Sequence, residues 1–158
     1  MAPRPPADAV VALRGLGRRF RGVFAGLGDD ESPDDLGRRP GAAGRSAADH
    51  VAHAAATLTG GTAAVDVVLT HDVPIVDQRS DDVHAPAGSV EGLLDDLGLS
   101  ADALAGRIEH LGAEDWARTA STPAGDQTAL DLVWLAVDTA VADLKAADLV
   151  LSEVRGRS

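Results

Sequence analysis

The stretch TALDLVWLAVDTAVADLKAADLVLSEVR, residues 128–155, contains neither Gly nor Pro. Leu130, Val133, Trp134, Val137, Val141, Leu144 and Leu151 recur along it at helical spacing and lay an apolar stripe on one face. Thr128 can cap its first turn and Gly156 can close its end. At 1.5 Å per residue such a helix is about 40 Å long. A helix this long and this apolar needs partners of similar length, so the chain is expected to build a bundle. Asp138 lies at the border of the stripe, beside Trp134 and Val141.

Three more segments supply those partners. Residues 8–27 keep Leu13, Leu16, Phe20, Val23, Phe24 and Leu27 at helical spacing. Gly15, Gly17, Gly22 and Gly26 interrupt the same segment at a cost of about 1 kcal/mol each against Ala. That helix therefore depends on packing, and its glycines suit close approach by a neighbour. Ser46 opens SAADHVAHAAATL with Asp49 three residues on, a capping-box pattern. The helix runs to at least Leu58; an end at Gly60-Gly61 and a continuation through Thr62 to Leu69 are both open, and continuation is expected. Ser89 caps a third segment, 88–111, with Leu93, Leu94, Leu97, Leu104, Ile108 and Leu111 as its stripe. Residues 1–7 read as a loose Pro-rich lead. Residues 28–45 and 71–87 read as long loops, and Trp116 falls in a short turn. Residues 117–127 form a last loop, with a small hairpin as the alternative. The expected fold is all-α: an up-down four-helix bundle forming a single domain over 1–158.

Composition removes several kinds of chemistry. The chain has no Cys and no Tyr, which excludes disulfides, thiolate metal sites, cysteine nucleophiles and phenolic acids. Only Phe20, Phe24, Trp116 and Trp134 are aromatic, so small side chains must build the core. The net charge is −11, and the five Arg of residues 1–27 leave the remainder more acidic still. An acidic body argues against nucleic acid as a partner. No signal peptide and no uninterrupted apolar run of about 20 residues is visible, so a cytoplasmic protein with no membrane partner is expected. The runs DDESPDD and DQRSDD read as solvated acidic loops. P-loop, GxGxxG, HExxH and GxSxG patterns are absent.

Three stretches, GLGDDESPDDLGRRPGAAGRSAADHVAHAAATL, HLGAEDWARTAST and TALDLVWLAVDTAVADLKAADLVL, resemble the DinB-like bundles. That family includes the mycothiol-dependent maleylpyruvate isomerases, and the resemblance spans about residues 8–155. In that family a W-S-x-x-E-x-x-x-H pattern opens a helix and the last helix carries H-x-x-x-H. The three His hold a divalent metal, often zinc or nickel. Some members activate a low-molecular-weight thiol on it. Carried onto this chain, the first pattern places Arg45 at the Trp, Ser46 and Asp49 at the Ser and Glu, and His53 at the first ligand. The second falls on Asp138 and Ala142.

The resemblance thus implies a metal site reduced to His53 and Asp138, too few ligands for a tight catalytic zinc. No cofactor is firmly expected; a weakly held divalent metal or a low-molecular-weight thiol is what the family implies. The residues themselves give a parallel reading. His50 and His53 lie three apart on one helix and can approach a common partner. His53 and Asp138 are expected to face one another in the bundle interior as acid–base residues, with Trp134, His50 and Val141 against a small organic ligand. A His–Asp hydrogen-bonded pair of purely structural role is the bland alternative. His71, His84 and His110 sit in or near loops and read as solvated. Leu135, Ala142 and Leu149 form a second apolar flank on the last helix, from which a homodimer is expected. Two functions follow: a DinB-like enzyme or its metal-free descendant, or a non-catalytic bundle that binds a ligand or itself.

Overall fold

The computed structural model describes residues 4–27, 32–77 and 83–156. The elements in chain order are α1 (Pro6–Ala25), α2 (Pro33–Gly37), α3 (Ala47–Thr70), α4 (Val90–Ile108), α5 (Ala113–Ala117), β1 (Thr119–Thr122), β2 (Gly125–Thr128) and α6 (Ala129–Gly156). The four long helices start where local chemistry favours it. The Ser46 hydroxyl accepts from the Asp49 N–H (3.1 Å), and the Asp49 carboxylate accepts from the Ser46 N–H (2.9 Å). The same reciprocal box joins Thr128 and Asp131 (3.1 and 3.0 Å). Ser89 caps α4 through the Gly92 N–H (3.1 Å). Pro6 opens α1 at the position where its missing N–H costs nothing. α3 runs unbroken through Gly60 and Gly61, and α6 runs through Gly156.

The bundle is all-α in its four long helices, as expected, but the helix directions do not alternate. α1 packs between α4 and α6, and α3 packs between the same two. On the α1–α4 seam Arg14 meets Asp102 and Glu109 while Arg21 meets Glu91 and Asp95, so these helices are antiparallel. Arg4 meets Asp138 and Arg155 meets the Gly26 carbonyl, so α1 and α6 are parallel. Thr59 meets Ser100 and Asp66 meets Arg107, so α3 and α4 are parallel too. The order is up, down, down, up.

The α3–α4 connection makes this feasible. Residues 71–89 can reach about 60 Å when extended, against about 36 Å for α3. The connection leaves the far end of α3 and returns to its start. There the Ala85 N–H donates to Asp49 (2.8 Å) and Arg45 Nη2 donates to the Val83 carbonyl (2.6 Å). On the way, residues 74–76 pair with β1 through Val76 N–H to Ser121 O (2.9 Å) and Ser121 N–H to Pro74 O (3.0 Å). β1 and β2 form the hairpin, registered Thr119 to Thr128, with Gly125 at φ 105° in its turn.

Small residues set the helix spacing. A Cβ on Gly61 would lie 3.1 Å from Ala136 Cβ and 3.4 Å from Leu104 Cδ2, and a Cβ on Gly17 would lie 3.2 Å from Gly98 Cα. One core, from Ala9 to Val154, is shared by all four helices. By length and composition α3 is apolar enough to cross a membrane, contrary to the absence of such a run read from the sequence. Its buried Ala47, Val51, Ala54, Leu58 and Val65 instead form a wall of this core.

Two local expectations change. Residues 4–7 are not a loose lead, because Pro6 starts α1 and Arg4 docks on α6. Residues 33–37, read as loop, form the short α2. The remainder of the lead (1–3) and the acidic positions 29–31 and 78–82 lie outside the described residues.

Candidate functional site

α6 buries a seam in which Ala129, Ala136, Ala140 and Ala147 stand among Leu132, Val133, Val137, Leu144, Val150, Leu151 and Val154. Asp143 stands in the middle of that seam, with only 7% of its surface exposed. An ionised carboxylate there needs donors from a neighbouring helix. α3 supplies them. His50 Nδ1 lies 3.0 Å from Asp143 Oδ1, and His53 Nδ1 lies 2.5 Å from Asp143 Oδ2. Three residues apart on α3, the two rings share a face, and one carboxylate clamps both. With each Nδ1–H donated to the carboxylate, Nε2 is the basic nitrogen of each neutral ring. A carboxylate that fixes the tautomer and orientation of an imidazole is the arrangement general-base histidines use. Here it is doubled.

The expected His53–Asp138 pair is not formed. Asp138 is on the outer surface of α6, its side chain 55% exposed, and both its oxygens accept from Arg4 (3.0 and 2.5 Å). The Arg4 guanidinium also stacks 3.8 Å above the Trp134 ring, and Trp134 Nε1 donates to the Arg4 carbonyl (3.4 Å). Trp134 is nine residues from Asp143, about half a turn round the helix, so it faces away from the histidines. Val141 is partly buried against the core. His50 is thus joined to His53, whereas Asp138, Trp134 and Val141 are not. Asp143 is the residue the sequence reading missed.

The start of α3 above the cluster is tied down. Burial alone would raise the Asp49 carboxyl. Hydrogen bonds from the Ser46 and Ala85 N–H groups and the Ser46 hydroxyl, with His84 nearby, outweigh it and hold Asp49 below the ordinary carboxylate range. Arg45, at the position where the resembling family carries Trp, holds the Val83 carbonyl through Nη2; its buried Nε has no hydrogen-bond partner among the described residues.

The residues do not form a metal cradle as arranged. Both Nδ1 atoms are turned onto the Asp143 oxygens rather than toward a shared point. One turn beyond Asp143, where H-x-x-x-H spacing would place another ligand, stands the fully buried Ala147. Among the described residues no group of three or more His, Cys, Asp or Glu is placed to hold a metal ion. Asp138, committed to Arg4 on the surface, cannot join His53 as the reduced metal pair.

Residues 12–138 match the sequence profile of the DinB superfamily. The chain belongs to that superfamily. Solved structures agree with the fold. YfiT from Bacillus subtilis, described as a probable metal-dependent hydrolase with an unusual four-helix bundle topology, superposes with a TM-score of 0.76 at 13% identity, covering 99% of this chain and 93% of that one. A variant of a mycothiol-dependent maleylpyruvate isomerase superposes with a TM-score of 0.69 at 11% identity, covering 92% of this chain and 62% of that one. Comparison with proteins of curated function finds no match. At these identities the two structures speak for the DinB fold and not for a shared reaction. Asp143 lies beyond the residues the superfamily profile matches, and its placement rests on the geometry alone.

Proposed function

We propose that this DinB-superfamily protein is an enzyme acting on a small organic molecule, with His50 and His53 as a general-base pair oriented by Asp143. The observation that carries this reading is the single buried carboxylate holding two imidazoles by Nδ1. Both carboxylate oxygens are satisfied, as burial requires, and the donors are two imidazoles, so one clamp orients two rings that can each accept a proton. The base would take a proton from water or from a thiol, and the imidazolium formed is stabilised by the carboxylate behind it. The names of the two similar structures supply the reaction classes to try, hydrolysis and thiol-dependent isomerisation.

The test is a panel of ester, amide and thiol-dependent isomerisation substrates run on the wild type, His53→Gln, Asp143→Asn and Asp138→Asn. Removing a positioned general base costs roughly 10²–10⁴-fold in rate. The His53 and Asp143 variants should lose that much, and Asp138→Asn should not change. Turnover that survives both His53→Gln and Asp143→Asn would refute the assignment.

A second reading, that the bundle associates with itself, rests on a different observation. Leu135 (45% exposed), Ala142 and Leu149 (62% exposed) recur every seven residues on the outer face of α6. We propose a homodimer through this face. Light scattering of Leu135→Glu, Leu149→Glu against the wild type tests it. A wild type that scatters as the 16.1 kDa of a single chain at tens of micromolar sinks the dimer.

A further inference from the structure

A groove of about 420 Å³ runs between α1 and α6, on the side of α6 away from the His pair. Gly22, Val23 and Leu144 line it, Arg19 and Lys145 rim it, and Asp148 is its only acid. Its cations differ from the rest. Arg4, Arg14, Arg21, Arg39 and Arg107 are all held by carboxylates. Arg38, Arg45, Arg118 and Arg155 are held by backbone carbonyls. Among the described residues only Arg18, Arg19 and Lys145 have neither a hydrogen bond nor an ion pair. Two of these three rim one groove, and the third is adjacent in sequence. This occurs in a chain with 25 acids for 14 bases, so these positions hold positive charge on an otherwise acidic protein. A Cβ on Gly22 would meet nothing within 4 Å, so the floor is open to a ligand.

We infer that this groove binds a small amphiphilic anion, with a carboxylate or phosphate head between Arg19 and Lys145 and an apolar body over Val23 and Leu144. Two cations facing one acid leave a net positive charge that favours an anion, and the guanidinium can hold it through two N–H groups. The partly exposed Val23 gives an apolar contact beside the cations, which favours an organic anion over an inorganic one. The site is separate from the His pair, so its occupancy does not depend on the catalytic reading.

Lys145 is the chain's only lysine. Reductive methylation with ¹³C-formaldehyde therefore labels one side chain besides the terminal amine and preserves its charge. The ¹³C signal and the Gly22 and Val23 amides are followed by NMR while phenyl phosphate, octanoate, inorganic phosphate and phenol are titrated separately. Phenyl phosphate and octanoate should give saturable shifts at millimolar concentration, weakening with salt. Inorganic phosphate should bind less tightly and phenol should leave these signals in place. Arg19→Gln should weaken binding roughly fivefold, as expected for one exposed charge contact. Unlabelled Lys145→Gln, read at the amides, should do the same, and Lys145→Arg should restore it. The inference is overturned by unsaturable shifts, by phenol binding as well as phenyl phosphate, or by Arg19→Gln binding like the wild type. Both positions are exposed, so the variants should fold, which the amide spectrum itself reports.

Discussion

Replacing Asp143 by Ala removes the acceptor shared by two largely buried imidazoles. Each ring would keep an Nδ1–H facing an apolar seam, and an unsatisfied buried donor costs about 1–3 kcal/mol. The two costs do not add fully, because the rings can turn and because the buried carboxylate's own desolvation cost disappears with it. The expected net loss is about 2–4 kcal/mol. For a urea slope of about 2 kcal/mol/M this lowers the unfolding midpoint by roughly 1–2 M. In a chain of this size it lowers Tm by about 5–15 °C.

Asp138→Ala is the matched control. It removes a carboxylate that is mostly in water, and its midpoint should stay within error of the wild type. Urea melts followed by circular dichroism at 222 nm, a wavelength that reads the helices, measure both. A double-mutant cycle then apportions the cluster. Coupling of Asp143→Ala with His53→Ala should exceed coupling with His50→Ala, since the His53 bond is the shorter, 2.5 against 3.0 Å. Equal losses from Asp143→Ala and Asp138→Ala, or no coupling to either histidine, would show that the cluster holds nothing together.

The other expectations are brief. Purified protein should carry well under one equivalent of zinc or nickel by elemental analysis; about one equivalent would show that His50, His53 and Asp143 rearrange around an ion. Asp49 is held below the ordinary carboxylate range, so its contribution is present above about pH 4, its unfolded value, and is lost as pH falls through the folded one. Asp49→Asn should therefore cost about 1 kcal/mol near neutral pH, and the gap to the wild type should close in acid; a gap independent of pH contradicts the assignment. Gly61→Leu should destabilise by about 1–3 kcal/mol through overpacking against Ala136 and Leu104, and an unchanged melt would mean that α3 and α6 are free to separate.

The helices were readable because each carries its own signals. Ser46, Ser89 and Thr128 announce the starts, and large apolar residues at helical spacing mark the faces. The direction of each helix is not such a local property. Whether α4 runs with or against α3 depends on the path of residues 71–89, and that path is held by long-range bonds from Arg45 and Asp49. A long connection is compatible with either direction, so alternation was the simplest assumption and it failed.

The site was half readable for a different reason. The stripe traced through Leu130, Val133, Trp134, Val137, Val141, Leu144 and Leu151 joins buried residues (Val133, Val137, Leu144, Leu151) to the partly buried Leu130, Trp134 and Val141, and the last three put Asp138 on its border. The buried centre is instead marked by Ala129, Ala136, Ala140 and Ala147, residues that a count of bulky side chains passes over. Asp143 lies seven residues after Ala136 and four before Ala147, in the middle of that alanine seam. It stands five residues, or about 140° of helix rotation, from Asp138. A chain with so few aromatics packs its helices partly through small residues, and the four seam alanines are more fully buried than Leu144 or Val150 beside them. An aspartate inside such a seam requires a donor from the helix opposite. On α3, His50 and His53 are the donors that lie on one face and within reach. The cost of burying a carboxylate explains why Asp143 engages both, while the exposed Ala142 on the same helix shows that alanine spacing alone does not mark the buried face.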